Sequence, residues 1–468
     1  MQTLPGTSAE NDQACGSFPL LESTAYLPIF TSTEFKKGLL ILPRLLFDLN
    51  MKIKLLTTIA VLMLWCCPAT NAQVIAKLTL AAVNNSISAP VYINLDAITS
   101  VPDSLLSLRE ITGKKNTTVP FQIETGYHRY LWWMVNNKKS SSKRVFELVK
   151  INSASASATA ALQLTINDGT VLITENGKNV LQYNFATHYP PAGVDTVFKR
   201  SGFIHPLWTP SGNVLTRINP PDHYHHMGLW NPWTHVLFEN KEVDFWNIGD
   251  KKGTVRFSNF ISKYSGDVYA GFKALQQHVA FNIPAAGMEK TAMNEVWDIK
   301  VYNAGENMWL CDFTSSLNCA TNSPVKLKEY RYGGFGFRAT EEWNNANSKV
   351  LTSEGKARKE ADASTARWCM IDGDLAKGHG GILFMSFPSN YNFPEPMRVW
   401  PADANKRGDV FFSFSPTRNK DWTLEPQKNY VLKYRMLIYD GTITPPQAEE
   451  VWKSFAHPPE VKVENVRM

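Results

Sequence analysis

Residues 161–177 read ALQLTINDGTVLITENG and contain the clearest strand and turn signals of the chain. Two short apolar-rich runs, Ala161–Ile166 and Val171–Thr174, have the length and composition of β-strands. Asn167-Asp168-Gly169 follows the first run and Glu175-Asn176-Gly177 follows the second. Asp-Gly and Asn-Gly pairs suit the left-handed backbone of tight hairpin turns. The stretch therefore predicts consecutive antiparallel hairpins.

Similar short runs, bounded by turn residues, dominate the rest of the chain. The clearest are Val74–Leu80, Val91–Leu95, Val296–Val301, Gly381–Phe387, Val410–Phe414 and Val431–Tyr439. Because strands and helices do not alternate, a parallel-sheet enzyme is disfavoured and a mainly β fold of antiparallel sandwiches is expected. One helix is predicted between Thr444 and Pro458. Its apolar residues recur at helical spacing and are Ala448, Val451, Trp452 and Phe455.

The composition excludes several classes of protein. With 44% hydrophobic, 12% aromatic and 19% charged residues, the chain is neither disordered, collagen-like nor a coiled coil. The 48 basic and 42 acidic residues leave a net charge of +6 without a long basic block. Nucleic-acid binding needs a concentrated basic surface, so no nucleic-acid partner is expected.

An export signal begins inside the chain, at Met51. Lys52 and Lys54 form a basic start, Leu55–Trp65 forms an apolar core, and Thr70-Asn71-Ala72 supplies small residues for cleavage. The apolar run is about half of the roughly 20 residues that a membrane span requires. We therefore predict a signal peptide at residues 51–72, preceded at 1–50 by a mis-assigned or removed extension. The protein is expected to be periplasmic or secreted, with no stable membrane span.

The cysteines leave two alternatives open. Cys66 and Cys67 suggest a lipoprotein, but Trp65 stands where a lipoprotein signal needs a small residue. After cleavage three cysteines remain, an odd number without the spacing of a zinc site. Either one disulfide joins Cys311 to Cys319, or all three are free thiols in strands.

A domain boundary is predicted near residues 186–200. There His188-Tyr189-Pro190-Pro191-Ala192-Gly193 separates a segment rich in Ser, Ala and Thr from a more aromatic one. Residues 73–190 suit a small immunoglobulin-like β-sandwich, and residues 191–468 suit a large β-sandwich domain that carries a His-rich site.

Histidines concentrate in the larger domain. Five of the ten lie between residues 205 and 235, and they are His205, His223, His225, His226 and His235. If residues 223–226 are extended, His223 and His225 share one face while Tyr224 and His226 share the other. Neighbouring imidazoles can bind sugar hydroxyls, transfer a proton near neutral pH or ligate a metal. No cofactor is expected; a metal held by the cluster is the alternative and needs a third ligand from His205, Asp222 or Asp244.

Tryptophans lie close to these histidines. They stand beside Asn, Pro and Asp in Leu229-Trp230-Asn231-Pro232-Trp233 and in Asp244-Phe245-Trp246-Asn247. Indole rings stack on the apolar faces of sugars while polar neighbours bind the hydroxyls. This mixture predicts a carbohydrate cleft, although β domains also place Trp in cores and at sheet edges.

Two further segments are assigned to the same cleft. Glu329–Arg338 places glycines between aromatic residues, which predicts a close backbone approach or a bulge facing the cleft. Glu341 and Glu342 follow it, and either is a candidate acid or base. Asn390–Trp400 is predicted to be an ordered loop that closes one side of the site.

Four motifs in this region carry a resemblance to a known family. They are SGFIHPL at 201–207, PPDHYHH at 220–226, VDFW at 243–246 and YGGFGF at 332–337. Together they resemble the exported bacterial family labelled "methane oxygenase PmoA", over about residues 75–457. The label implies a copper enzyme built of membrane-spanning helices, whereas the exported part of this sequence has no apolar run near 20 residues, so we interpret the label as a misattribution. The resemblance implies a secreted β-rich protein from a sugar-degrading setting.

By fold analogy, the large domain is similar to the sugar mutarotase-like supersandwich. In that comparison His223 or His225 is the general acid and Glu341 or Asp244 the general base. The expected substrate-binding residues are His205, Arg217, Asp222, Tyr224, His226, Trp230, Trp246 and Arg338. A glycoside hydrolase needs two carboxylates beside the bond, whereas a polysaccharide lyase can use His with Tyr224 and Arg217.

We therefore expect a periplasmic carbohydrate-active enzyme that cleaves glycosidic bonds. The alternatives are a non-catalytic carbohydrate-binding or cell-envelope protein and a metal-dependent redox protein.

Overall fold

The computed structural model describes residues 73–81, 87–135, 143–153, 160–283 and 289–466. The predicted signal peptide at 51–72 and the extension at 1–50 lie outside the described residues, as does most of the Ser- and Ala-rich segment 153–160. In the part of the chain that is described, no helix is both long enough and apolar enough to cross a membrane.

The elements are numbered in chain order. The first fourteen strands are β1 Gln73–Leu80, β2 Ala89–Asn94, β3 Leu106–Thr112, β4 Lys115–Thr118, β5 Phe121–Thr125, β6 Arg129–Val135, β7 Arg144–Lys150, β8 Leu162–Asn167, β9 Thr170–Glu175, β10 Lys178–Asn184, β11 Phe203–Leu207, β12 Leu229–Trp230, β13 Val236–Phe238 and β14 Lys241–Val243. Then come β15 Gly253–Tyr264, β16 Tyr269–Phe281, β17 Glu289–Tyr302, β18 Met308–Cys319, β19 Val325–Leu327, β20 Gly336–Arg338, β21 Ser348–Thr352, α1 Arg358–Ala361, β22 Trp368–Leu375, β23 Gly378–Ser386, β24 Met397–Val399, β25 Phe411–Phe414, β26 Trp422–Leu424, β27 Tyr430–Asp440, α2 Pro445–Ala456 and β28 Val461–Asn465.

The first β-strands form a small sandwich. One sheet has the order β28-β1-β7-β3-β4 and the other has the order β2-β6-β5. Their inner faces share an apolar core in which Trp133 of β6 lies 5.7 Å from Phe146 of β7, measured between ring centroids. Strand β28 comes from the end of the chain and pairs with β1, so the two ends of the described chain meet in this sandwich.

The larger part of the chain is built on two eight-stranded sheets. One has the order β15-β16-β17-β18-β27-β23-β22-β21, and the other has the order β24-β25-β20-β12-β11-β10-β9-β8. Aromatic residues of both sheets meet in one core, as in the pair Tyr183 and Trp297. A four-stranded sheet, β14-β13-β19-β26, adjoins them. The predicted fold class, mainly β with antiparallel pairing, is confirmed.

The consecutive hairpins predicted from residues 161–177 are present. Strands β8, β9 and β10 pair antiparallel in succession. The turn residues Asp168 and Gly169 have φ of 20° and 87°, and Asn176 and Gly177 have φ of 49° and 78°. Glycine, Asn and Asp tolerate this left-handed backbone best, which explains their positions.

These hairpins cross the boundary suggested by composition. Because β10 pairs with β11, residues 162–184 extend the second eight-stranded sheet, not the small sandwich. The change of sheet therefore falls between β7 and β8, and the Pro-rich segment near residue 190 is a connection within the larger part.

The predicted C-terminal helix is present as α2. Thr444 caps it by accepting a hydrogen bond from the Gln447 backbone N–H, and the Gln447 side chain accepts from Thr444 in return. Its buried face contains the four residues picked out by the helical spacing. The cysteines among the described residues, Cys311, Cys319 and Cys369, are free, as one of the two alternatives predicts.

Candidate active site

The candidate site lies on short strands in the middle of the second eight-stranded sheet. A small apolar cluster of Phe203, Met227, Trp230, Trp246 and Phe411 joins β11, β12 and β25 to the loops beside them. Gly336 of β20 permits this packing, because a Cβ there would lie 2.9 Å from Cη2 of Trp246. The glycine-rich segment thus provides the close approach expected from sequence.

The His-rich segment forms two successive turns instead of an extended strand. The backbone N–H of His223 donates to the Pro220 carbonyl, and that of His226 donates to the His223 carbonyl, both at 2.9 Å. These turns bring all three imidazoles together, with ring centroids 5.4 Å apart for His223 and His225 and 4.6 Å for His223 and His226. The predicted alternation of faces is therefore wrong. Tyr224 instead packs against Phe198, with ring centroids 5.6 Å apart.

Asp222 orients the ring of His223. Its Oδ2 lies 2.7 Å from His223 Nδ1. Burial raises the pKa of Asp222, but the hydrogen bond from His223 and the charge of Arg338 outweigh it, so this pKa lies below its ordinary value. An ionised carboxylate can only accept, so Nδ1 carries the proton and Nε2 of the neutral ring keeps its lone pair. His223 is thereby arranged as a base.

Arg338 supports this pair from behind. The guanidinium is 1% exposed and binds Asp222 at 2.9 Å and Asp409 at 2.8 Å. It also lies 4.6 Å from the centroid of the Trp400 ring. Arg338 does not line the cavity in front of the histidines, so the structure assigns it a positioning role instead of the substrate contact expected from sequence.

His225 and His226 are uncharged near neutral pH. Burial, with a smaller effect of the neighbouring His223, lowers the pKa of His225 to about 3. Burial lowers the pKa of His226 well below its ordinary value. The His226 ring stacks on Phe411 at a centroid distance of 5.1 Å. Neither ring therefore adds positive charge to the site.

A cavity of about 330 Å³ opens in front of the three histidines. Its other lining residues are Trp246, Asn247, Arg331, Tyr332, Arg398, Trp400, Pro401, Ala404, Asn405 and Phe411. Small-ligand sites have volumes of about 300–1,000 Å³. The cavity lies at the lower end of this range, which gives room for one or two sugar rings. Two residues of the predicted closing loop, Arg398 and Trp400, are among the lining residues.

Tyr332 and two arginines add polar groups to the cavity. The Tyr332 hydroxyl donates to Asn247 Oδ1 at 3.1 Å, and burial raises the pKa of Tyr332 to about 12, so the phenol stays protonated. Arg398 is paired with Asp362 at 2.7 Å. Arg331 is exposed and makes no ion pair with any described residue; its guanidinium lies 5.8 Å and 5.7 Å from the ring centroids of Tyr330 and Tyr332. Arg331 is thus available to an anionic ligand.

Several residues assigned to the site from sequence lie outside this lining. Glu341 has a side chain that is 67% exposed, pairs with Arg217 at 3.0 Å and does not line the cavity. His205 is bound through Nδ1 to Thr216, and burial lowers its pKa to about 4. Trp230 is fully buried behind His226.

Asp244 has a structural role in place of the general-base role expected. Its carboxylate accepts hydrogen bonds from Thr234 Oγ1, from the backbone N–H groups of Trp246 and Asn247, and from Asn247 Nδ2, each at 2.8 Å. These bonds fix the turn that carries Trp246 and Asn247 into the cavity.

Six lining residues have no specific role predicted from sequence: Asn247, Arg331, Tyr332, Arg398, Trp400 and Asn405. Some lie in segments assigned to the cleft, but nothing in their local pattern marks them. Among the described residues, no group of three or more His, Cys, Asp or Glu is placed to hold a metal.

Comparisons with known proteins give a family but no activity. No curated protein matches the sequence. Two solved structures from Enterococcus faecalis are similar at 10% identity: an alpha-mannosidase, with a TM-score of 0.39, and a protein of glycosyl hydrolase family 38, with a TM-score of 0.35. The matches cover 85% and 86% of this chain but 47% and 48% of those chains, so this chain spans about half their length. These scores are too low to carry a functional argument. Residues 170–453 match the model of the family of unknown function DUF6807, and the chain belongs to this family.

Proposed function

We propose that the protein is an exported carbohydrate-active enzyme, and that it cleaves an acidic polysaccharide by β-elimination. The observation that carries the proposal is the Asp222-oriented His223 in a cavity that also contains the unpaired cation Arg331. A lyase reaction needs a base, a cation for the substrate carboxylate and an acid for the leaving oxygen. The cavity offers one residue for each role.

His223 would remove the proton. In a uronate the C5 hydrogen lies next to the carboxylate, and Nε2 of His223 accepts it when the C5–H bond breaks. The electron pair forms the C4–C5 double bond, and the C4–O bond breaks. Asp222 stabilises the imidazolium that results, as a carboxylate beside a catalytic histidine does elsewhere.

Arg331 and Tyr332 would handle the charge and the leaving group. Arg331 binds the sugar carboxylate and stabilises the negative charge that develops on it when C5 loses its proton. Tyr332, whose pKa is raised to about 12, is a protonated phenol that supplies a proton to the leaving O4. Trp400, which is partly exposed, offers apolar ring surface for the sugar.

A hydrolase reaction has less support at this site. A glycoside hydrolase of the usual kind places two carboxyl groups on either side of the bond. Among the described residues that line the cavity, none is Asp or Glu. Asp222 lies behind the lining and already accepts hydrogen bonds from His223, Arg338 and Asn405.

The test is incubation of the purified protein with polygalacturonate, alginate and hyaluronan, followed by mass spectrometry and ultraviolet absorbance. We expect unsaturated products without added water. Products that gain water would show a hydrolase, and unchanged polymers would leave a binding protein; either result contradicts the proposal.

Two tyrosine variants separate this proposal from the one drawn from sequence. Tyr332→Phe should lower turnover by about 100-fold or more, because the acid is lost. Tyr224→Phe is the matched control, since Tyr224 packs on Phe198 outside the cavity lining, and it should retain full activity. If Tyr224→Phe lost activity and Tyr332→Phe kept it, the acid would be Tyr224.

A further inference from the structure

A second cleft lies between the small sandwich and the first eight-stranded sheet. Its volume is about 410 Å³, within the range of small-ligand sites. One wall comes from β2, β5 and β6 and includes Tyr92, Tyr130 and Trp132. The opposite wall comes from β17, β18 and β27, and α2 closes one end. This cleft shares no lining residue with the His-rich cavity.

The sheet wall of the cleft has an unusual polar surface. Lys300, Asp312 and Arg435 lie side by side across three strands, and Asp298, Thr314 and Lys433 form the row beside them. Charged residues at every second position of a strand usually face open water. Here they face another sheet across the cleft.

The charged residues that line this cleft are equal in number, and all of them except Lys433 are paired. Arg435 binds Asp312 with two hydrogen bonds of 2.6 Å and 2.8 Å, and Lys300 pairs with Asp298 at 3.2 Å and with Glu124 at 3.4 Å. The lining therefore contains three carboxylates, Glu124, Asp298 and Asp312, and three cations, Lys300, Lys433 and Arg435. Such a surface offers many donors and acceptors without attracting either sign of charge.

The wall on the small sandwich supplies aromatic surface. Tyr92 and Trp132 are register partners on β2 and β6, with ring centroids 4.5 Å apart and planes inclined by 30°. Tyr92 remains 52% exposed. The Lys300 ammonium lies 5.4 Å from the centroid of the Trp132 ring and helps to hold it in place. An exposed ring held in place is suited to stacking on a sugar face.

We infer that this cleft is a second carbohydrate-binding site, which holds an uncharged oligosaccharide without cleaving it. The aromatic wall would contact the apolar face of a sugar ring, and the paired charges opposite would bind its hydroxyls. Equal numbers of carboxylates and cations in the lining favour a neutral glycan, whereas the His-rich cavity, lined by Arg331 and Arg398 without a carboxylate among its described residues, favours an acidic one. The inference uses none of the residues that carry the proposed elimination, so it stands or fails independently.

The test is isothermal titration of the purified protein with cellohexaose, mannohexaose and xylohexaose, with tetragalacturonate as the acidic comparison. We expect at least one neutral hexasaccharide to bind, and Tyr92→Ala to weaken that binding about tenfold or more. Tyr127→Ala is the matched control, because Tyr127 is 97% exposed on the same sandwich but does not line the cleft. It should leave the affinity unchanged.

Further variants keep the inference falsifiable. If Tyr92→Ala loses its fold by circular dichroism, Lys433→Gln on the opposite wall replaces it with the same expected loss of affinity. His223→Ala should leave neutral-glycan binding intact, which separates this cleft from the cavity. Absence of binding by all three neutral glycans, loss of binding in His223→Ala, or unchanged binding in both cleft variants would each overturn the inference.

Discussion

Replacing Arg338 by Met tests the support behind His223. Met keeps an apolar side chain against Trp400 but removes the guanidinium that is 1% exposed and binds two carboxylates. Removing one partner of a buried ion pair typically costs about 3–5 kcal/mol, because the other charge is left buried and unpaired. The structure places this case at the lower end of that range. Asp222 is 22% exposed and keeps His223 and Asn405, while Asp409 keeps Arg407 at 3.2 Å.

We therefore expect Arg338→Met to lower the free energy of unfolding by about 3 kcal/mol. Urea unfolding at neutral pH, followed by tryptophan fluorescence, measures it. The double variant Arg338→Met with Asp409→Asn should recover about 1 kcal/mol or more, because it leaves one buried charge fewer. Arg217→Met is the matched control: its partner Glu341 is 67% exposed, so the loss should stay under about 1 kcal/mol.

If Arg338→Met and Arg217→Met lowered the free energy of unfolding equally, the reasoning would be refuted. A double variant less stable than Arg338→Met alone would also refute it, since that result would mean that Arg407 and Asn405 fully compensate the charge of Asp409 without Arg338.

Three further measurements address individual residues. Asp222→Asn should lower turnover about 100-fold or more while the Kd of substrate changes little, because the amide no longer fixes His223 with Nδ1 protonated. A large change in Kd without a change in turnover would contradict the role of Asp222 in orienting His223. Glu395 is buried, and burial raises its pKa from 4.5 to about 7. Between these two pH values the folded chain holds a proton that the unfolded chain has lost, so the free energy of unfolding should fall as the pH rises from about 4.5 to about 7. Urea unfolding of Glu395→Gln should show a smaller fall of the free energy of unfolding over this pH range. A pH dependence equal to that of the unsubstituted protein would contradict the raised pKa of Glu395. Gly336→Ala should cost about 1–3 kcal/mol in the same assay through contact with Trp246, whereas Gly126→Ala, whose added Cβ would meet nothing closer than 3.9 Å, should cost much less.

The parts of the fold that were predictable depend on local chemistry. The Asp168-Gly169 and Asn176-Gly177 pairs accept a left-handed backbone, and Thr444 caps a helix whose apolar spacing is visible in the sequence. The domain boundary was placed too late because composition changes at a loop, whereas sheet membership depends on the pairing of β10 with β11. Such pairing between distant segments leaves no mark on either one alone.

The site was predictable in its location but not in its contacts. The density of histidines beside Asp222 marked the segment. The expected alternation of their side chains between two faces required a strand, whereas residues 220–226 form two turns. Arg331, Arg398 and Trp400 reach the cavity from segments far from residue 223 in sequence. Glu341 and Asp244 have the functional group of a base, but both carboxylates are already bound. Glu341 pairs with Arg217, and Asp244 accepts four hydrogen bonds that hold a turn.

The net charge of the cavity follows from burial more than from composition. Three histidines suggest a cationic site, but burial keeps His225 and His226 neutral. The carboxylates of Asp222 and Asp409 are matched by two guanidiniums, those of Arg338 and Arg407. Arg398 is compensated by Asp362, which leaves the charge of Arg331 without a partner among the described residues. A bound carboxylate would supply that partner. An acidic sugar is therefore the ligand class that this arrangement favours, and a neutral sugar would leave Arg331 uncompensated.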